Sequence, residues 1–383
     1  MASTLAARSQ VGRAAFKLRH GSNGAPRFGH NALMTSTDRS FAELHLHLGG
    51  AVLPRILYTY LQREKQNRNN PRIHEVATQY LRRFPTFEKF ERRLTRPCDT
   101  LEQYLEAHKI VEPLQTHEAL PYFINRLLRG CFAFENISYL ELRYNPYFRV
   151  PKGTPLVEAR DRMQEIVSTV RFAAAAAHKQ FPIFFTQILC MDSRLPTEVN
   201  RTIVEIATEM REEVCGVDIA GPDEAYRENL PGILANLKLA KEQGLKTTGH
   251  CYETPEGCFP EMLDYLDRIG HGIQIPLKEP KLLAKVAQRR QCLEVCPTSY
   301  LRTGTLKSYS ELKPVFQYCF DMGIDIAICT DNSAFHGVRL PLEYERLLTH
   351  GVIDFTMMEK CRQAAFRHAF RWPANVDHRR NVL

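Results

Sequence analysis

Apolar residues gather in eight short runs along the chain: Ala42–Leu48, Ile137–Leu142, Ile183–Leu189, Val214–Ala220, Leu245–His250, Arg268–Gly272, Gln291–Cys296 and Ile324–Asp331. Each has the length of a strand, and most are separated by stretches with room for a helix. Pro155–Gln180, Pro196–Glu213, Glu224–Gly244, Pro255–Asp267, Glu279–Arg290 and Tyr309–Met322 each read as one helix, several opening at proline or closing at glycine. A last helix, Thr356–Arg371, follows the eighth run. Strands alternating with helices make a parallel sheet, and eight such units predict an α/β fold of the (β/α)8 TIM-barrel type.

The connection from Leu48 to Ile137 is far longer than a barrel needs. It holds a helical stretch at Pro54–Glu64, a polar turn at Gln66–Arg72, and helical patterns over His74–Leu94 and Asp99–Phe134. Asp99 or Thr100 is positioned to cap the last of these, with Leu101, Leu105, Ile110 and Leu114 on its apolar side. A helical insertion of this size after strand 1, on the active-site face, reads as a lid or substrate wall. Between residues 62 and 96 it carries Arg63, Lys65, Arg68, Arg72, Arg82, Arg83, Lys89, Arg92, Arg93 and Arg96 against four acids. Such a run is usually a solvated helix face; contact with a phosphate is the sharper alternative.

Composition narrows the class. The chain of 383 residues is 44% hydrophobic, which suits a soluble enzyme with a large core. No apolar run approaches the ~20 residues of a membrane helix. Eleven cysteines show no paired C-x-x-C spacing, and Cys190, Cys296 and Cys329 fall within or beside apolar strands, which points to a reduced, intracellular setting. Six of the basic residues (Arg8, Arg13, Lys17, Arg19, Arg27 and Arg39) precede residue 40, leaving 45 basic and 42 acidic residues for the rest. A nearly neutral body argues against nucleic-acid binding. Residues 1–36 read either as a transit peptide or as a disordered leader or misassigned start ahead of Met34. The expected location is therefore cytoplasmic, or mitochondrial if the leader is a transit peptide, with residues 37–383 forming one metal-dependent barrel domain.

Reactive residues close the strands. In His45-Leu46-His47, alternation puts both imidazoles on one face. His250 ends the fifth run, with Glu253 three residues on; neutral imidazole suits zinc, and a nearby carboxylate suits proton transfer. His271 stands between Gly270 and Gly272, as close backbone approach to a ligand would require. Asp331 ends the eighth run, where a buried carboxylate must be paired or bound to a metal.

These motifs, His45-Leu46-His47-Leu48-Gly49-Gly50-Ala51, His250-x-x-Glu253, Gly270-His271-Gly272, Cys296-Pro297-x-Ser299 and Thr330-Asp331, resemble the adenosine deaminase family of the amidohydrolase superfamily. Glu141-Leu142-Arg143-Tyr144-x-Pro146 and Asp218-Ile219-Ala220-Gly221 match its second and fourth strand ends. The resemblance spans about Phe41 to Arg371. It implies one zinc per chain held by His45, His47, His250 and Asp331, with water completing the sphere and attacking C6 of a purine. Glu253 would protonate ring N1, His271 would orient the attacking oxygen, and the Gly221 N–H would meet ring N3. The product would be the 6-oxo purine plus ammonia.

Two positions depart from the family pattern. Gly49 stands where the family usually has an aspartate against the ribose 5′-hydroxyl, and Asn332 where it often has a second aspartate contacting ring N7. Asparagine can still donate to N7. Glycine at 49 predicts a roomier 5′ pocket, with the arginine-rich insertion as part of its wall. The expected partner is a small purine nucleoside (adenosine-type), with a 5′-phosphorylated or N6-modified adenine nucleotide as the alternative. No pattern in the chain specifies an oligomeric state. An amide- or ester-cleaving relative would use a strand-four lysine, and no lysine occurs between Gln180 and Leu237. A non-catalytic descendant would lose Glu253 and His271 first, and both are present.

Overall fold

The computed structural model describes residues 39–98 and 101–371. The leader expected over residues 1–36 and the cap expected at Asp99 or Thr100 lie outside them. The strands are β1 (Phe41–His47), β2 (Ile137–Tyr144), β3 (Phe184–Asp192), β4 (Val214–Ala220), β5 (Lys246–Thr247), β6 (His250–Cys251), β7 (Arg268–His271), β8 (Cys292–Val295) and β9 (Ile326–Ile328). All pairings are parallel, in the orders β1-β2-β3-β4-β5 and β6-β7-β8-β9. The nine segments are the eight expected runs, with the fifth divided. Its first half pairs with β4 and its second with β7, and hydrogen bonds continue through the division: Thr248 N–H to Val217 O (3.0 Å) and Gly270 N–H to Gly249 O (2.9 Å).

The fold is TIM-barrel-like, but its ladder does not close unbroken. Between β1 and β9 there is a single bridge, Leu46 to Asp331, with Asp331 N–H on His45 O and His47 N–H on Asp331 O, both 2.8 Å. Glu43 fills the seam. Its Oε1 accepts from His45 N–H (3.0 Å), and its Oε2 accepts from the Thr330 N–H (3.1 Å) and hydroxyl (2.7 Å). A buried side chain thus satisfies backbone groups that a ladder would otherwise pair.

Side chains alternate along β1. Ala42, Leu44 and Leu46 pack outward, where the helix Phe355–Arg367 lies against β1 and β9. Glu43, His45 and His47 take the other face. The interior they meet is ionic: Glu141 and Arg143 from β2, Asp218 from β4, Arg268 from β7 and Glu294 from β8, all fully buried. All eleven cysteines are free, and ten are buried, acting as small apolar side chains.

Several expected helices are shorter or divided, and proline is the usual cause. His74–Leu94 is two helices, Pro71–Arg83 and Phe87–Thr95, interrupted before Pro85. Asp99–Phe134 divides at Pro113 into Leu101–Val111 and Leu120–Glu135. Pro255–Asp267 is not a helix: Pro255, Gly257 and Pro260 leave only a turn of 3-10 helix at Met262–Asp264. Within the insertion, Tyr58, Phe84 and Phe90 form an aromatic cluster with ring centroids 5.4–5.6 Å apart, a small core beneath basic outer faces.

The seam generates a test. Glu43→Ala strands three buried donors, each loss costing about 1–3 kcal/mol, so chemical denaturation should show a loss on the order of 3 kcal/mol or more. Glu43→Gln keeps an acceptor and should lose less. An alanine variant as stable as the parent would refute the seam's role.

Candidate active site

The barrel's carboxyl end gathers four of the expected residues. His45 and His47 end β1, His250 opens β6, and Asp331 follows β9. The three Nε2 atoms form a triangle with sides of 3.2, 3.2 and 3.0 Å. Asp331 Oδ1 lies 3.8 Å from His45 Nε2 and 3.4 Å from His47 Nε2. The four potential ligand atoms all lie within 4.8 Å of one another.

The ring protons of two of these imidazoles are accounted for elsewhere. His45 Nδ1 faces Glu294 Oε2 at 2.7 Å. His250 Nδ1 faces Asp218 Oδ1 and Ile219 O, each at 3.2 Å. With Nδ1 donating, both Nε2 lone pairs point inward. Burial and the Arg143 charge lower His45 to about 4, and burial lowers His47 well below its ordinary value, so both are neutral. For His250, burial opposes the charged form, but the Asp218 carboxylate outweighs it and the net direction is upward. Lone pairs about 3 Å apart repel unless a cation lies among them, and ions bound by imidazole at ~2.0–2.1 Å require this spacing. The donor set therefore fits a divalent cation.

Asp331 is held on both oxygens: Ser299 Oγ donates to Oδ2 (2.7 Å) and Asn332 Nδ2 to Oδ1 (2.6 Å). Its backbone is left-handed, at φ 61°, as is that of His271 at φ 70°. Strained backbone of this kind persists where the surroundings over-determine it.

Glu253 and His271 stand beside the cluster, with Glu253 Oε2 3.4 Å from His271 Nε2. Burial, with Asp331 adding to it, pushes Glu253 up to about 8, so its carboxyl holds a proton at neutral pH. Burial holds His271 neutral. The Tyr300 hydroxyl accepts from Cys296 N–H (3.0 Å) and faces His271 Nδ1 at 3.3 Å. Its own proton is then free for Nδ1, which leaves His271 Nε2–H as a donor into the pocket.

Beneath lies the ionic interior. Glu294 Oε2 accepts from Arg143 (2.8 Å) as well as facing His45, and its Oε1 accepts from Arg268 (2.6 Å). Arg143 also reaches Asp218 (3.2 Å), and Arg268 reaches Glu141. Burial alone would raise both carboxyls, yet Arg143 and Arg268 hold Glu294 well below its ordinary range, and His250 and Arg143 hold Asp218 at about 2.

Several expectations need correction. The glycines flanking His271 serve packing rather than ligand approach: a Cβ on Gly270 would lie 2.9 Å from Gly249 O, and one on Gly272 would lie 2.8 Å from Leu293 Cγ. Gly221 lines the pocket, but a side chain there would first strike Ser193 Oγ, at 2.2 Å. Asn332 also lines the pocket; one of its two amide N–H groups goes to Asp331 and its buried Oδ1 has no partner, so it positions the aspartate while keeping a second N–H to donate. Gly49 lines the pocket without enlarging it, because the His108 ring occupies the space above it. No arginine between 63 and 96 lines the pocket; the wall there is Tyr104, Leu105, His108, Lys109 and Glu112.

Sequence reasoning missed Glu294, Arg268 and the pocket face of Leu101–Val111. An acid between Leu293 and Val295 in a buried strand carried the signal for Glu294, by the logic applied to Asp331. The pocket face of the insertion helix had no comparable signal.

A family model described as adenosine deaminase matches residues 41–382. The adenosine deaminase of Enterococcus faecalis is 30% identical over 338 residues, covering 86% of this chain and 92% of that one. The adenine deaminase from Arthrobacter aurescens superposes with a TM-score of 0.70 at 17% identity, covering 87% and 94% of the two chains. The apo N6-methyl-AMP deaminase from Arabidopsis thaliana gives 0.66 at 23% identity, covering 87% and 93%. At these identities the two structures speak for the fold alone.

The expected metal content is one divalent ion per chain. Glu294→Gln should weaken its retention by about 10- to 100-fold, the usual consequence of losing a partner that orients a ligand. Chelator competition on the folded variant measures this, and unchanged affinity would remove Glu294 from the metal site.

Proposed function

The chain belongs to the adenosine deaminase family and is a hydrolytic purine deaminase; from that premise we propose that its ion is zinc and its substrate a 6-aminopurine nucleoside of the adenosine type. One observation carries this reading. Glu253 and His271 stand together, 3.4 Å apart, beside three imidazoles and a carboxylate whose donor atoms converge. Hydrolytic removal of an aromatic amino group needs a nucleophile, a proton for the ring and a donor for the developing oxyanion.

Zinc, when bound, supplies a nucleophile derived from water at neutral pH. The chain's residues do the rest. Glu253 gives its proton to the ring nitrogen next to C6, so that C6 accepts the oxygen without charge building up on the ring. His271, with Nδ1 occupied by Tyr300, turns its Nε2–H toward the attacking oxygen. Glu253 then recovers a proton from that oxygen and passes it to the amino group, which leaves as ammonia. Atoms balance: one water enters, and one ammonia and one 6-oxo purine leave. The pocket encloses these groups beneath the insertion helix Leu101–Val111, which limits bulk water.

Nucleotides form the second reading, favoured by Arg149 and Arg194 in the pocket wall and matching the substrate named for the Arabidopsis structure. Ammonia release from adenosine, deoxyadenosine, AMP, N6-methyl-AMP and adenine separates the readings, with adenosine expected to be the best substrate. Glu253→Gln should lower kcat by about 10²–10⁴-fold, the range for a general acid–base group, while the ion content stays at the parent's level. A zinc-loaded glutamine variant with parental turnover would exclude Glu253 from proton transfer.

A further inference from the structure

Two groups of residues line the pocket: a first pole of the metal-ligand cluster with Glu253 and His271, and a second of His108 and Glu112 from the insertion with Arg149, Asp192 and Arg194, where His108, Arg149 and Arg194 all act on the Glu112 charge. In a 6-aminopurine the amino group and the N9 substituent lie at opposite ends. With C6 at the first pole, the sugar and its terminal 5′ group point to the second. This step rests on the deaminase reading.

At the second pole the glycine at the end of β1 is covered rather than vacant. A Cβ on Gly49 would lie 2.6 Å from His108 Nδ1 and 3.5 Å from Glu112 Oε1. The His108 ring is fixed between Tyr104 and Phe335, at centroid distances of 5.6 and 5.2 Å, and its Nδ1 is 3.8 Å from Glu112 Oε1. The absent side chain and the two residues from the insertion are therefore one arrangement. Any side chain at 49 would dislodge His108 and, with it, the partner of Glu112.

The charges at this pole are largely committed. Arg194 grips Asp192 through two bonds of 2.8 and 2.7 Å. Arg149 donates to Asn145 O (2.7 Å) and Gln115 Oε1 (2.6 Å), and its buried Nε has no partner. Lys109 is engaged by Glu106. Burial alone would raise the Glu112 carboxyl, but His108 and Arg149 lower it overall, so it is ionised. A phosphate placed here would face two carboxylates and cations that already have partners. A hydroxyl would meet a charged acceptor, the stronger class of hydrogen bond.

We propose that Glu112, held in place by His108 over Gly49, sets the enzyme's specificity at the sugar end: it accepts a hydrogen bond from a neutral 5′-hydroxyl and rejects a 5′-phosphate. The insertion after β1 thus selects nucleoside over nucleotide, although it contributes nothing to the metal ligands.

The test measures kcat/KM for adenosine, 5′-deoxyadenosine and AMP in the zinc-loaded parent and in Glu112→Gln, together with the affinities of the unreactive purine riboside and its 5′-phosphate. The parent should prefer adenosine to AMP by more than about 100-fold and lose about 10- to 100-fold on 5′-deoxyadenosine, the scale of a hydrogen bond to a charged group. Glu112→Gln should shrink both ratios by about 10-fold or more. Gly49→Ala should resemble loss of Glu112, and Gly49→Ala combined with His108→Ala should recover part of the preference, an outcome that mere unfolding would not give. A parent that prefers AMP, or ratios unmoved in a folded Glu112→Gln, overturns the proposal. Absence of turnover on every purine, with the binding preference for the riboside intact, would overturn the deaminase reading and leave the selectivity of Glu112 standing.

Discussion

Glu294 is the residue through which most of this structure is tied together. Its two oxygens face His45, Arg143 and Arg268 at 2.6–2.8 Å, in the buried centre of the fold. Removing ions from water costs several kcal/mol each, and only near-complete mutual satisfaction offsets that cost. Here the satisfaction runs in a chain, from Glu141 through Arg268, Glu294 and Arg143 to Asp218. Two carboxylates in this chain, Glu294 and Asp218, also fix an imidazole from behind. The groups that make a charged core tolerable are the groups that aim the ligands. Stability and ligand orientation therefore cannot be varied independently at these positions.

The same constraint explains the strand ends. Asp331 serves as a backbone bridge to β1 and as a carboxylate in the cluster at once. Doing both requires the left-handed turn at φ 61°, and Ser299 and Asn332 hold the side chain that results. Glu43 closes the seam at this point, because the turn spoils the regular ladder between β1 and β9. Burial raises Glu43 to about 8, which contrasts with Glu294 at the same depth. The difference is the guanidinium pair: Glu294 has two arginines and Glu43 has backbone donors.

The architecture was legible because each strand buries both faces and each reactive residue lies where a strand stops. Strand order and parallel direction follow from that pattern alone. Helix limits were less legible wherever proline interrupted an apolar periodicity, as at Pro85, Pro113 and Pro255. The metal-ligand set could be named because several strand-end motifs in order resembled those of one family; the His45-Leu46-His47 pair alone would have carried little. The partners behind them were harder to see, since Arg268 and Glu294 are single charged residues whose meaning depends on which strands become neighbours. Gly49 misled for a related reason: a sequence shows a missing side chain but not the His108 ring that fills its place from a distant helix. The basic run from Arg63 to Arg96 misled because charge in a helix reports its solvent face more often than its pocket face.

The two ends of the pocket consequently answer to different parts of the chain. The reacting end is built from β1, β6, β7 and the turn after β9, all of which are fixed from below by the buried ions. The selecting end is built from Leu101–Val111 and the residues just after it, whose side chains reach the pocket from above. A change at Glu112 meets a salt-bridged but accessible wall, whereas a change at Glu294 unsettles both arginines and His45, and one at Asp218 unsettles Arg143 and His250. Loops can vary substrate range while a barrel keeps its chemistry. In this chain the division is drawn at a single glycine, Gly49, where strand and insertion meet and where neither can change its side chain without moving the other.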